Sequence, residues 1–247
     1  MKQKSDIYKA LVDDFNLFPN DLREWNINYF KKSRKRYSHI LELIENNYKG
    51  GTILELGSLP CHLTYCLKKL NYPIFGLDIA PERATHFIKK NQLNVIKCNF
   101  EIDKLPFEDN HFKFILFMEV FEHMRIDPIS TLKEINRVLH PEGLLIFTVP
   151  NLYSFPKIIS YIRGKGFDDP YFEFNKINRL GHMGHVRDYS ANQIKSFLKN
   201  TGFVIEKTIF KSYFDLNNLK QVFFALANKL FYKTNSIQIH IVKKKTL

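Results

Sequence analysis

Glycine is scarce in this chain, with 10 residues in 247, and cysteine is scarcer, with three. Cys61, Cys66 and Cys98 are an odd number and form no C-x-x-C pair, so neither a disulfide framework nor a structural zinc site is expected. A reducing cytoplasm fits that pattern. No uncharged apolar run approaches the roughly 20 residues of a membrane span, so none is expected. The first residues carry Lys2 and Lys4 but no apolar core, so a secretory leader is not expected either. Acidic residues are also short: 25 Asp and Glu face 37 Lys and Arg, a net charge of +12. Such a surplus suits an anionic partner, whether nucleotide, phosphorylated substrate, nucleic acid or membrane surface. Aromatics are abundant, with 23 Phe and 12 Tyr, and hydrophobic residues make up 45% of the chain. That is enough for one globular domain with a full core.

The chain alternates helical and strand patterns, with no internal repeat. Asp21–Asn46 reads as a helix around the basic run Lys31–Arg36, broken by Gly50 and Gly51. Strands are predicted at Thr52–Leu56, Pro73–Leu77, Leu93–Lys97, Phe112–Met118 and Leu144–Val149. Helices are predicted at His62–Leu70, Pro81–Lys90 and Pro128–Leu139, and Pro141-Glu142-Gly143 reads as a turn. Strands separated by helices of this length imply a doubly wound α/β fold on a parallel sheet. After Pro150 the rhythm breaks. Residues 151–189 read as an inserted cap between the fifth and sixth strands, with Phe155, Tyr161, Phe167, Tyr171, Phe172 and Phe174 available to line an acceptor pocket. A Ser190-capped helix to Asn200, the strand Phe203–Phe210, an amphipathic helix Leu216–Phe231 and the strand Ile237–Val242 follow. The helix's stripe of Leu216, Leu219, Phe223, Leu226 and Leu230 suits sheet covering or dimer formation. The chain thus divides into an N-terminal helical segment (1–50), a cofactor-binding half (51–150), the cap (151–189) and a C-terminal part of the same domain (190–247).

In such sheets ligands bind beyond the carboxyl ends of the strands. The first strand ends in Glu55-Leu56-Gly57-Ser58-Leu59-Pro60-Cys61-His62. A dinucleotide loop needs G-x-G-x-x-G, but positions 57, 59 and 62 are Gly, Leu and His. The glycines that admit a pyrophosphate are missing, and no Walker loop is present. Asp78 closes the second strand 21 residues after Gly57, where a carboxylate can accept from both hydroxyls of a ribose. One glycine, a ribose acid and no phosphate loop suit an adenosine cofactor without phosphates, and S-adenosylmethionine is one.

The ordered segments Ile53–Gly57, Phe75–Ile79, Leu105–Asp109, Glu119–His123, Glu134–Leu139, Pro141–Gly143 and Thr148–Asn151 resemble the class I S-adenosylmethionine-dependent methyltransferases over roughly residues 50–210. Gly184-His185-Val186-Arg187-Asp188-Tyr189-Ser190 with Gly202-Phe203 resembles the branch found in surface-polysaccharide and other glycan pathways. The resemblance implies a seven-stranded Rossmann-like sheet, S-adenosylmethionine as cofactor and S-adenosylhomocysteine as product. It implies that Glu55 orients the first loop or the methionine amino group, that Gly57 lets its backbone approach the methionine moiety, that Ser58 also binds the cofactor, and that Glu119 lies under the methionine end. Asp78 would bind the ribose, Ile79 would pack on adenine, and Asn99 and Phe100 would lie beside it. The chain departs from the family pattern at Cys61, where glycine is usual, and at Asn99, where an acid is common.

Transfer to a hydroxyl needs the acceptor held in line and its proton removed. Histidine suits that task, so His123, His182 and His185 are the catalytic candidates. Glu122, Arg187 and Tyr189 are candidate acceptor contacts. No H-E-x-x-H or H-x-x-E-H spacing occurs, so no metal is expected. The expected acceptor is a small, phosphate-bearing molecule, most simply a sugar hydroxyl on a nucleotide-activated or glycan precursor, methylated by a monomer or homodimer. Two alternatives stay open: an RNA or protein methyltransferase docking through its basic faces, and a catalytically silent relative.

Overall fold

The computed structural model describes residues 2–166, 168–180, 184–213 and 219–245. Two helices open the chain, α1 (Lys2–Asp13) and α2 (Asn20–Asn47). Along α2 the residues Leu22, Asn26, Phe30, Ser33, Tyr37, Ile40, Leu41 and Ile44 are buried. Their spacing of three and four is one face of a 3.6-residue helix. Lys31, Lys32, Arg34 and Lys35 lie on the exposed side.

The elements β1 (Ile53–Leu56), α3 (His62–Lys69), β2 (Ile74–Asp78), α4 (Thr85–Lys90), β3 (Val95–Lys97), β4 (Phe112–Met118), α5 (Pro128–Val138) and β5 (Leu139–Pro150) follow. After them come α6 (Phe155–Ile162), α7 (Pro170–Leu180), α8 (Ala191–Asn200), β6 (Phe203–Lys211), α9 (Leu219–Leu230) and β7 (Ile237–Lys244). The sheet has seven strands in the order β3-β2-β1-β4-β5-β7-β6. β1 pairs parallel with β2, and β2 with β3, whereas β7 runs antiparallel to β5 and β6. The order reverses between β1 and β4, the switch point at which α/β sheets bind ligands.

The chain forms two compact units, Met1–Leu116 with Arg137–Gly143, and Phe117–Asn136 with Leu144–Leu247. In the first, Phe112 packs edge-on against Phe107 and Phe75. There Arg137 spreads its guanidinium over the Phe107 and Leu105 carbonyls and the Asp109 carboxylate. This explains why the Leu105–Asp109 and Glu134–Leu139 segments occur together: one arginine satisfies the turn's acceptors. In the second unit, Phe121 sits among Phe117, Phe147, Tyr189 and Phe197.

Three expectations change. Residues 139–143, read as a helix end and a turn, are already strand; Gly143 has no Cβ, and one placed there would lie 3.0 Å from the Phe112 carbonyl. Residues 151–189 hold α6 and α7, and their ends are tied by a bridge between Asn151 and Tyr189. On α9 the stripe Leu219, Phe223, Leu226 and Leu230 is exposed, with Leu219 at 89%, so it does not cover the sheet; Ala227 and Asn228 form the buried side instead. Leu216 lies outside the described residues.

Candidate active site

In the first unit, β1 carries Glu55 into the interior, opposite Gly76 of β2. Burial pushes its carboxyl up to about 8, although the Thr64 hydroxyl donates to it. Gly57 then turns with φ +70°, and the N–H groups of Gly57 and Ser58 both donate to the Leu77 carbonyl, at 2.8 and 3.0 Å. Cys61 also takes a left-handed φ, 64°, just before α3. This is the position where glycine would carry no strain. The Ser58 side chain is 2% exposed and faces β2, and a Cβ on Gly76 would meet its Oγ at 2.7 Å. Ser58 therefore packs closely against the neighbouring strand.

Asp78 ends β2 with its carboxylate 8% exposed. Its Oδ2 accepts from Leu59 N–H at 2.9 Å, and its Oδ1 accepts from Ala80 N–H at 3.0 Å. A carboxylate oxygen can accept more than one hydrogen bond, so Asp78 has the chemistry to take a ribose diol. Ile79 follows directly and is 51% exposed, an apolar surface free to meet a base. After β3, Asn99 Oδ1 accepts from Glu101 N–H at 3.3 Å, and Phe100 is half-buried.

The second unit holds the other candidates. Glu119 has φ 55° at the end of β4, and its Oε1 accepts from the Thr148 hydroxyl. A left-handed glutamate is strained backbone of the kind that collects at functional sites. Three residues on, Glu122 is 1% exposed. Its Oε1 lies 4.0 Å from His123 Nε2 and 3.9 Å from His185 Nε2. The two imidazole centroids are 5.0 Å apart. His123 Nδ1 meets the Gly184 carbonyl at 2.9 Å, and His185 Nδ1 lies 3.8 Å from Asp168. Val186 and Arg187 donate their N–H groups to the Glu122 carbonyl, which staples the two segments together.

Some candidates sit elsewhere than expected. Tyr189 is 5% exposed with its ring on Phe121 and Phe197, so it is core and does not present a face to an acceptor. Arg187 is exposed and lies over the Tyr189 ring at 5.3 Å. Tyr171, Phe172 and Phe174 of α7 face solvent, and Phe155 packs on Phe223 and Phe224 of α9. His182 and Phe167 lie outside the described residues. Sequence reasoning passed over Lys157, Asp168 and Asp188. Lys157 is 4% exposed and ion-paired with Asp188. A lysine inside the apolar pattern of α6 was the available signal.

A sheet of this order, with a left-handed glycine after β1 and a buried acid ending β2, defines a class I S-adenosylmethionine-dependent methyltransferase. A methyltransferase domain family model matches residues 29–208, and the chain belongs to that family. The uncharacterized protein MJ1252 of Methanocaldococcus jannaschii is 32% identical over 194 residues, 73% of each chain. An S-adenosylmethionine-dependent methyltransferase from Archaeoglobus fulgidus superposes with a TM-score of 0.61 at 16% identity, covering 90% of this chain and 99% of that one. A possible histamine N-methyltransferase from Thermotoga maritima gives 0.59 at 18% identity, covering 90% and 95%. S-adenosylmethionine is the cofactor. Glu55, Gly57, Asp78 and Ile79 have the chemistry to hold it: acid, open backbone, diol acceptor and apolar face.

Proposed function

We propose that this methyltransferase acts on a hydroxyl of a small anionic acceptor, a sugar hydroxyl of a nucleotide-activated sugar or of a capsule or lipopolysaccharide precursor. The observation that carries the reading is the convergence of His123 and His185 on the buried Glu122, a polar cluster suited to a hydroxyl that must lose its proton. The net charge of +12 suits an acceptor bearing phosphates. The methyl carbon breaks from the sulfonium sulfur, which keeps the bonding pair and becomes a thioether. An O–CH3 bond forms, and the hydroxyl proton is lost to solvent. Much of the rate then comes from holding the acceptor oxygen on the axis of the departing sulfur. Glu55, Gly57, Ser58, Asp78, Ile79, Asn99, Phe100 and Glu119 are the residues we assign to the cofactor, and Glu122 and Arg187 to the acceptor. The three buried thiols, Cys61, Cys66 and Cys98, suit work in a reducing cytoplasm; no helix among the described residues is long and apolar enough to cross a membrane.

The test is incubation with S-adenosylmethionine and a pooled panel of sugar nucleotides, followed by mass spectrometry. One product heavier by a single methyl group is expected, and it should vanish in His123→Ala and His185→Ala while S-adenosylhomocysteine still binds. A second reading, methylation of RNA, draws on the exposed basic side of α2. Binding of RNA that weakens steeply with salt, with no sugar nucleotide methylated, would favour it.

A further inference from the structure

The geometry points to a divalent transition-metal site made by Glu122, His123 and His185, within the second unit. One ligand atom from each of the three lies within 4.8 Å of the others. The orientation is the stronger argument. Both imidazoles direct Nε2 at the same carboxylate oxygen, at 4.0 and 3.9 Å, and both turn Nδ1 away toward another oxygen. His123 donates Nδ1–H to the Gly184 carbonyl, which leaves the lone pair on Nε2 facing inward. Asp168 stands behind Nδ1 of His185. A ring nitrogen held by a carbonyl, as that of His123 is, is a usual support of a metal-ligating histidine.

The spacing rules out the simpler account of a directly bonded pair. At 3.9–4.0 Å the ring nitrogens are beyond hydrogen-bond reach of Glu122. A shared cation with bonds of about 2.0–2.2 Å would draw the three ligand atoms in slightly. Two imidazoles and one carboxylate favour zinc, manganese or iron(II) over magnesium or calcium, which take all-oxygen sets. The set leaves coordination positions open, as catalytic metal sites do. Resting on the O-methyl reading above, the cation would take the acceptor hydroxyl oxygen into an open position and make its proton easier to lose to water.

The binding test needs no acceptor. Protein stripped with a chelator and dialysed against Zn2+ is expected to retain one equivalent by elemental analysis. Titration calorimetry should show Glu122→Gln, His123→Ala and His185→Ala each weakening the affinity by about tenfold or more, and Asp168→Asn weakening it less. His86→Ala, a histidine of the first unit, should leave it unchanged. S-adenosylhomocysteine affinity within about twofold of the parent reports that each variant is folded. Should a variant fail that check, the Co2+ complex of the parent decides instead: visible bands of a four- or five-coordinate ion are expected. Less than a fifth of an equivalent of zinc, or binding retained by the folded double variant His123→Ala/His185→Ala, or a six-coordinate aqua-like cobalt spectrum, overturns the site. Zinc bound as described with no hydroxyl methylated would overturn only the O-methyl reading.

Discussion

Asp78 was legible from the sequence by its distance from Gly57, but its double use was not. Each of its oxygens already holds a backbone N–H, one from the loop after β1 and one from its own turn. Asp78→Ala should therefore remove ribose contacts and loosen Leu59 together. Charge-assisted bonds of this kind contribute about 1.5–3 kcal/mol each, so S-adenosylhomocysteine binding is expected to weaken by about a hundredfold in calorimetry. Unchanged affinity would sink the assignment. Ser58 has a packing contact that the residue-level reading did not contain: its side chain faces Gly76, a neighbour that only the fold supplies. Glu122 is a similar case: beside His123 and three residues after Glu119 in sequence, it could have been a cap or a packing carboxylate. Its burial between two ring nitrogens needed His185, more than sixty residues away.

At the scale of elements, most strands were visible as short apolar runs bounded by turns, because parallel strands covered on both faces must be apolar throughout. The Ser190 cap of α8 was legible as well, and Gln193 completes it as a capping box. Ser190 Oγ accepts from Gln193 N–H, and the Gln193 side chain accepts from Ser190 N–H. What could not be read was the path from α7 to α8. Gly184 is placed by Glu173 of α7, whose carbonyl accepts from Gly184 N–H and whose carboxylate accepts from His185 N–H at 3.0 Å. A Cβ on Gly184 would fall 1.4 Å from that carboxylate. Gly184→Ala must push the Glu173 carboxylate aside and break its bond to the His185 N–H. We expect methyl transfer to fall by tenfold or more, with S-adenosylhomocysteine affinity and far-ultraviolet dichroism held near the parent. Parental activity would mean that His185 does not need this support. The first helix, α1, fell within the helical segment read for residues 1–50, but its bounds were not read, because its few apolar residues, such as Ile7 and Leu11, make a thin stripe.

For the whole molecule, three buried titratable groups shape stability against pH. Burial pulls His62 down to about 3 and His240 down to about 4, from an ordinary 6.5. Both are neutral when folded, so below 6.5 the unfolded chain takes up protons that the folded chain refuses. Stability then falls with acid, by about 1.4 kcal/mol per pH unit for each group. Glu55 acts in the opposite sense. Its carboxyl is raised from 4.5 to about 8, so its contribution is present below 4.5 and is lost as pH rises toward 8. The two arms give a maximum near pH 6.5 in the thermal midpoint. S-adenosylhomocysteine should flatten the alkaline arm, since its ammonium group favours an ionised Glu55. A midpoint that keeps rising from pH 6.5 to 8 without ligand would contradict this account. The division of the chain has a further consequence. The first unit takes back residues Arg137–Gly143 from the middle of the second, so the backbone passes between the units three times. No single cut in the gene yields either one whole. A library of truncations should return full-length protein or nothing soluble, and circular permutation would not help, because the two units still alternate around a closed chain.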